Sequence, residues 1–224
     1  ELPGEKPGIL PGSRAWRAAN PSAVMTPVLT AFVSIGQGDT MATPLQLCSM
    51  AACVANGGKY YQPRVVRKAV SEEGKVLIAD KPKLVVDLIE AGIKPKDFEL
   101  IRKGMWMAVN VPGGTAGKVK MPNMEVAAKT GTAQTTDNGK KSNNSWVISF
   151  APYENPKYAI CVLVQNAGSG GGVCGPLVHL IYRGLFAQDE GLKLPLKAQT
   201  EFVGNTDRIE AIEMPADVLA AISA

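Results

Sequence analysis

Between Thr43 and Gly58 the apolar residues recur at helical spacing, and Leu47, Met50, Ala51 and Val54 fall on one stripe. The start of this helix is marked by Thr43 as cap, Pro44 at the first helical position and Gln46 to close a capping box. Gly57 and Gly58 end it. A second helical stripe, Phe98, Ile101, Met105 and Val109, runs through residues 95–109 and stops at Pro112-Gly113-Gly114. A third, Leu177, Leu180, Ile181 and Leu185, predicts a helix over residues 176–186.

The pattern changes to β-branched runs elsewhere. Residues 60–70 and 75–78 flank Ser71-Glu72-Glu73-Gly74 and predict a hairpin with a charged tip. Three further strands are expected at 125–134, 145–151 and 158–165. Tyr153-Glu154-Asn155-Pro156 turns between the last two, so these pair antiparallel. Residues 1–21, rich in Pro and Gly, are expected to be loop, and Gly168–Gly172 a flexible connection. Residues 187–224 are expected to form a tail with a short helix at its end. Strands gathered late, with helices around them, predict an α+β fold in which an antiparallel sheet is flanked by helices.

Composition narrows the function classes. The chain has 224 residues, 46% hydrophobic and 20% charged, which is ordinary for a globular domain. A net charge of +4, spread along the chain, with 6% aromatic residues, argues against nucleic acid as a partner. Four cysteines are no disulfide framework at this length. Cys48 and Cys53 point to different faces of a helix, and Cys161 and Cys174 are close enough in sequence to approach one another. One histidine is too few for most zinc sites, so no metal is expected. No run reaches the ~18 apolar residues of a membrane span. The opening ELPGEKPGILPGSRAW lacks an initiator Met and has the character of the middle of a longer protein.

Several stretches invite a chemical reading. Gly113-Gly114-Thr115-Ala116-Gly117-Lys118 imitates a phosphate loop, but Pro112 and Val119 stand where that loop needs Gly and Ser or Thr, so a helix-to-strand connector is expected. His179, between Val178 and Leu180, fits a half-buried helix histidine better than a catalytic one. Lys129-Thr130-Gly131-Thr132 differs. In an extended chain the two hydroxyls face one side and Lys129 and Gly131 the other. Hydroxyls side by side can donate to a carboxylate, lysine adds positive charge, and glycine lets another group come close. An edge strand can also pair with an extended peptide. The alternative is a polar edge strand guarded by lysine against aggregation. On spacing alone the two readings stand level.

KTGT after a small-residue strand resembles the third motif of penicillin-binding transpeptidases and serine β-lactamases. The surroundings extend the resemblance. SIGQGDTMATPLQLCSMAACVANGG (34–58) is similar to the segment that precedes this strand in class B penicillin-binding proteins. SWVISFAPYENPKYAICVLVQN (145–166) is similar to the two strands after it, and GGVCGPLVHLIYRGLF (171–186) to the closing helix. The Gly-Glu and Leu-Pro opening (4–11) leans toward the elongation type, penicillin-binding protein 2. The family's Ser-x-x-Lys occurs nowhere in the chain. Ser142-Asn143-Asn144 fits its Ser-x-Asn motif but comes after the KTGT strand, in an expected loop, and is read as coincidence.

The resemblance implies the C-terminal part of a penicillin-binding, serine β-lactamase-like transpeptidase domain over residues 1–186, without the nucleophile. It implies two-step acyl transfer between peptidoglycan stem peptides, with β-lactam antibiotics as ligands and no cofactor. Lys129 and Thr132 would be catalytic, Thr132 through its backbone N–H as an oxyanion donor, and Thr130, Gly131 and Thr132 would line the substrate. It further implies a bacterial inner-membrane protein whose extracytoplasmic domain works with a membrane glycosyltransferase of the elongation machinery. A β-lactam sensor or β-lactamase, and a noncatalytic cell-wall scaffold, are the competing readings. Apolar faces left uncovered would favour a homodimer, a swapped arrangement or poor order near residues 1–35.

Overall fold

The computed structural model describes residues 4–137 and 140–191. The opening segment is not all loop. Ser13 accepts from the Trp16 N–H and starts a short helix, α1 (Arg14–Ala19). Thr26 does the same for Leu29 and starts α2 (Pro27–Ser34). Neither helix buries a residue, and Val28 and Phe32 stand exposed. Three contacts tie the opening segment to residues 41–46: an antiparallel bridge between Ile9 and Met41, the Thr43 hydroxyl donating to the Glu5 carboxylate, and the Gln46 side chain, which donates to Lys6 O at 2.8 Å.

Helix α3 (Pro44–Ala55) has the expected capping box. Its buried residues, however, are Ala51, Cys53 and Ala55, while Met50 is exposed. Small side chains on the inner face let the helix lie close to its neighbours, so size decides the inward stripe here more than hydrophobicity does.

Residues 60–70 do not make one strand. β1 (Lys59–Tyr61) leaves to pair antiparallel with an unforeseen strand, β4 (Leu84–Asp87). Pro63, which has no N–H, comes directly after the rung from Gln62 N to Lys83 O. The expected hairpin survives in shortened form as β2 (Ala69–Val70) and β3 (Val76–Ile78), closed by Ser71 N to Lys75 O.

Helix α4 (Pro95–Asn110) buries Phe98, Met105 and Val109 as expected, but Ile101 is 49% exposed. Steps of four, three and four from Phe98 bring Arg102 inward instead. Its guanidinium donates to Ala55 O and to Tyr153 O (2.6 Å) and lies 5.0 Å over the Phe150 ring. One side chain thereby ties the end of α3 to α4 and to the turn after the second long strand.

The sheet runs β5 (Ala127–Asp137), β6 (Lys140–Ala151), β7 (Tyr158–Val164), antiparallel throughout and in that order. Ser142-Asn143-Asn144 lies inside β6, opposite residues 133–135, and not in a loop. One face of the sheet packs on α3 and α4 through Ala55, Met105, Ala127 and Phe150.

The other face meets α5 (Gly170–Asp189), which begins six residues earlier than expected. The glycine run is not a flexible connection. A Cβ on Gly170 would collide with Gly131 O and Trp146 O, so this glycine is packed on the sheet. The buried stripe of α5 is Cys174, Val178 and Tyr182, at steps of four, with Ile181 exposed. Ser149 Oγ and Tyr182 OH lie 2.9 Å apart, and the Cys174 thiol donates to Ser145 O at 3.1 Å. Small serines, glycine and cysteine set the contact here, as on α3.

All four cysteines are free. Cys161 pairs in register with Ile148 on the α3 side, so the sheet separates it from Cys174. Burial pushes the Cys161 thiol up to about 12.

The chain divides after Tyr182, and residues 183–224 form a second unit. Within it the described residues are the last turns of α5 and the turn closing at Gly191. The boundary expected after residue 186 falls inside α5. The rest of the expected tail and its short helix, residues 192–224, lie outside the described residues.

Candidate functional site

β5 changes character within its first three residues. Val126, Ala127 and Ala128 are fully buried between the helical layers, and Lys129 is exposed. The buried half fixes the strand, and the polar half continues beyond the core on the same extended backbone. β6 is its only strand partner among the described residues, so the opposite edge of β5 is open.

Two bonds determine which groups face that edge. The Lys129 ammonium donates to Thr130 O (2.5 Å), and the Gln37 amide donates to Thr132 O (3.3 Å). In a strand the N–H and C=O of one residue point to the same side. The backbone N–H groups of Thr130 and Thr132 therefore face the open edge, away from β6. A reacting oxygen brought to this edge would meet the Thr132 N–H.

The side chains alternate as the sequence predicts. Thr130 and Thr132 face α5. The Thr130 hydroxyl donates to Thr115 Oγ1 (3.0 Å), and the Gly170 N–H donates to the Thr132 hydroxyl (3.3 Å). Hydroxyls rotate, so Thr115 can take over as donor in its pair with Thr130, and Thr130 and Thr132 then each keep a proton on the same face of the strand for a carboxylate. Gly131 lies on the other face beside Trp146, whose Cβ would be 3.4 Å from a Cβ at 131. A polar cavity of about 380 Å³ continues along the ribbon, lined by Gln134, Thr135, Thr136, Lys141, Ser142 and Asn143.

Sequence reasoning missed three contributors. Thr115 lies in the expected connector, yet it reaches Thr130. Gln37 sits between Gly36 and Gly38, both at positive φ, and this turn delivers its amide to the strand. The readable signal was the Gly-Gln-Gly pattern itself. Gly170 and Gly171 wedge against Gly131 and Thr115, which allows α5 to buttress the site. The connector 113–118 does contain a 3-10 turn, Gly117–Val119, and forms no phosphate loop. His179 is half-buried, its Nδ1 2.8 Å from Lys120 O, away from the cluster.

Comparison with known proteins agrees with this arrangement. The family described as penicillin binding protein transpeptidase domain matches residues 1–183. The peptidoglycan D,D-transpeptidase MrdA of Salmonella typhimurium is 32% identical over 199 residues, 83% of this chain and 31% of that protein. Pseudomonas aeruginosa PBP2, solved in complex with WCK 5153, is similar at a TM-score of 0.66 and 31% identity, over 88% of this chain and 42% of that one. Helicobacter pylori PBP2, solved in complex with MreC, is similar at a TM-score of 0.63 and 28% identity, over 84% and 32%. The chain thus spans about a third of the length of the curated relative it matches. With the α+β fold, the KTGT edge strand and these matches together, the chain belongs to the penicillin-binding protein transpeptidase domain family.

Proposed function

We propose that residues 129–132 form the carboxylate-binding and oxyanion-donating wall of a bacterial peptidoglycan D,D-transpeptidase of the elongation type. The observation that carries this reading is the open edge of β5, where the backbone of Thr130 and Thr132 faces outward and their hydroxyls share one face of the strand, Thr130 against Thr115 and Thr132 against the Gly170 N–H. In the reaction, a serine attacks the penultimate D-Ala carbonyl of a stem peptide and expels the terminal D-Ala. An amine of a neighbouring stem peptide then takes the acyl group and frees the serine. Thr130 and Thr132 hold the terminal carboxylate, or that of a β-lactam. The Thr132 N–H donates to the developing oxyanion, a contact worth about 3 kcal/mol in such reactions. Lys129 supplies positive field and steadies the serine of the second motif, and Gly131 leaves room beside the nucleophile.

No Ser-x-x-Lys occurs in these 224 residues, so the nucleophile belongs elsewhere in the full-length protein. Membrane anchoring and a glycosyltransferase partner belong to the same proposal. Among the described residues no helix is long and apolar enough to cross a membrane.

Fluorescent penicillin tests the reading. Full-length protein becomes covalently labelled, and the 224-residue chain alone does not. Thr130→Val in the full-length protein slows labelling about tenfold to a hundredfold, the loss of one hydrogen bond to a charged group. A stable adduct on the 224-residue chain would sink the assignment. Full-length protein that never labels would favour the scaffold reading, which the missing Ser-x-x-Lys keeps in view. Label that forms and is rapidly hydrolysed would favour a β-lactamase.

A further inference from the structure

The proposed acyl transfer uses none of the four thiols. Cys53 and Cys174 are buried, and Cys174 has no exposed surface at all. Cys48 and Cys161 are different: both are only half-buried, and the fold brings them together from distant parts of the chain. β7 is the last strand of its sheet, so its outer edge has no strand partner among the described residues. Helix α3 lies against this strand. Its Cys48 thiol donates to Ala159 O at 3.4 Å. Residues two apart in a strand present their backbone groups to the same edge, and the Cys161 N–H accordingly faces the same Cys48 sulfur.

The Cys161 side chain is on the α3 side of the sheet, in register with Ile148. A sulfur against the Cys161 N–H is one residue's own span from the Cys161 sulfur. Rotation of the two side chains can therefore bring the sulfurs toward the disulfide bond length of about 2 Å. The other pairings are poor. The sheet lies between Cys161 and Cys174, and Cys53 lies on another face of α3, near Asp87.

We propose that Cys48 and Cys161 form a disulfide site, where oxidation joins the two sulfurs and staples α3 to the outer strand of the sheet. The oxidant is the disulfide of a thiol–disulfide oxidoreductase outside the cytoplasmic membrane. Only this choice of oxidant rests on the extracytoplasmic placement of the domain, and the pairing rests on the fold alone. One protein thiol loses its proton and attacks the oxidant's disulfide, forming a mixed disulfide and releasing one of the oxidant's sulfurs as thiolate. The second protein thiol, deprotonated in turn, attacks its partner's sulfur and releases the other. Two protons pass to the departing thiolates, and two electrons pass from the cysteine pair to the oxidant. Burial raises both thiols, Cys161 to about 12, which slows attack once the protein is folded. The bond therefore forms during folding, and the same burial then shields it from reductants. It closes a long loop of chain, so it stabilises by restricting the unfolded state. It also pins α3, whose Ala55 packs with Ala127 at the root of the KTGT strand.

Refolding the reduced 224-residue chain in a mixture of reduced and oxidised glutathione tests the site, because every thiol meets the oxidant before the fold closes. Alkylation, digestion and mass spectrometry then read the pairing. One disulfide is expected, joining the peptides of Cys48 and Cys161, with Cys53 and Cys174 alkylated. The oxidised chain should melt about 5 °C or more above the same chain after reduction. Cys48→Ser and Cys161→Ser should each abolish the link and melt at the same temperature with and without reductant. A folded chain with all four thiols free overturns the proposal, as does a link through Cys53 or Cys174. Glutathione left on Cys48 or Cys161 without closure overturns it too. So does a Cys48–Cys161 link that lowers the melting temperature, since the two residues would then meet only under strain. Penicillin plays no part in this measurement, so failure of the pairing and failure of the transpeptidase reading are separate results.

Discussion

The β5–β7 sheet and the β2–β3 ribbon are both antiparallel and both rich in small or β-branched residues, yet one is sealed on both faces and the other on neither. Ala127, Ala128, Val147 and Phe150 have no exposed surface, whereas Leu77 is 63% exposed. Hydrophobicity does not separate the two, since Val76-Leu77-Ile78 is as apolar as anything in β6. What separates them is the facing surface. Ala55 and Met105 close on one side of the sheet, and Gly170, Cys174 and Tyr182 on the other. The ribbon has neither layer. A strand held this way can carry exposed polar groups at its far end without losing its place, and Lys129 to Thr132 extend from such a held strand. Positions set by a packed scaffold suit a site that must hold hydrogen bonds to fractions of an ångström.

Truncating one side chain in each region puts the contrast to its strongest test. Phe150→Ala should cost about 3–5 kcal/mol, from lost burial and the cavity beneath Arg102 and Tyr153. Leu77→Ala should stay within about 0.5 kcal/mol, as exposed substitutions do. Urea denaturation of both variants measures the difference. Equal costs would mean that the ribbon is covered in solution by something that also stabilises it.

Gly170→Ala probes the second seal and the site together. In an open helix the change would gain up to about 1 kcal/mol. Here the new Cβ would meet Trp146 O at 2.5 Å and crowd Gly131 O, and backbone atoms cannot swing aside. A net loss of about 1–3 kcal/mol is expected. The Gly170 N–H also holds the Thr132 hydroxyl, so in the full-length protein penicillin labelling should slow as well. A stabilised variant with normal labelling would show that α5 stands further from the sheet.

These contrasts bear on what the residues alone disclosed. The KTGT alternation, the capping box of α3, the antiparallel β6–β7 pair and the α+β class were legible because each rests on local rules of period, cap or turn. The inward stripes were only half legible. Met50 and Ile101 lost their places to alanine, cysteine and arginine, because the close approach of a neighbour favours small side chains and two carbonyls attract a guanidinium. Neither partner is visible in a local window. Likewise β1 pairs with β4 across 23 residues or more, and Gln37 reaches a strand 95 residues away. The glycine run misled because glycine marks both mobile linkers and tight contacts, and only the contacting surface distinguishes them.

The smallest expected effect concerns charge. Where the sheet is held by burial, the lobe carrying the β2–β3 ribbon is braced by Asp80 between Arg64 and Arg67. Hydrogen bonds from Arg64 first, then Arg67, hold the Asp80 carboxyl below the usual aspartate range. A carboxyl depressed in the folded state lends stability that is fully present above its unfolded value and disappears as pH falls through its folded value. The brace therefore works at neutral pH and is lost only under acid conditions, below the ordinary aspartate range. Because the pair is exposed, its loss should loosen the lobe locally and leave the sheet intact. Carbon-detected NMR of the Asp80 carboxyl should show a low titration midpoint that rises most in Arg64→Gln and less in Arg67→Gln. Amide exchange at residues 69–78 should quicken through the same acid range while residues 145–151 keep their protection. If both regions loosened together, the lobe would share the cooperativity of the sheet, and burial would no longer explain why the two behave as different kinds of β structure.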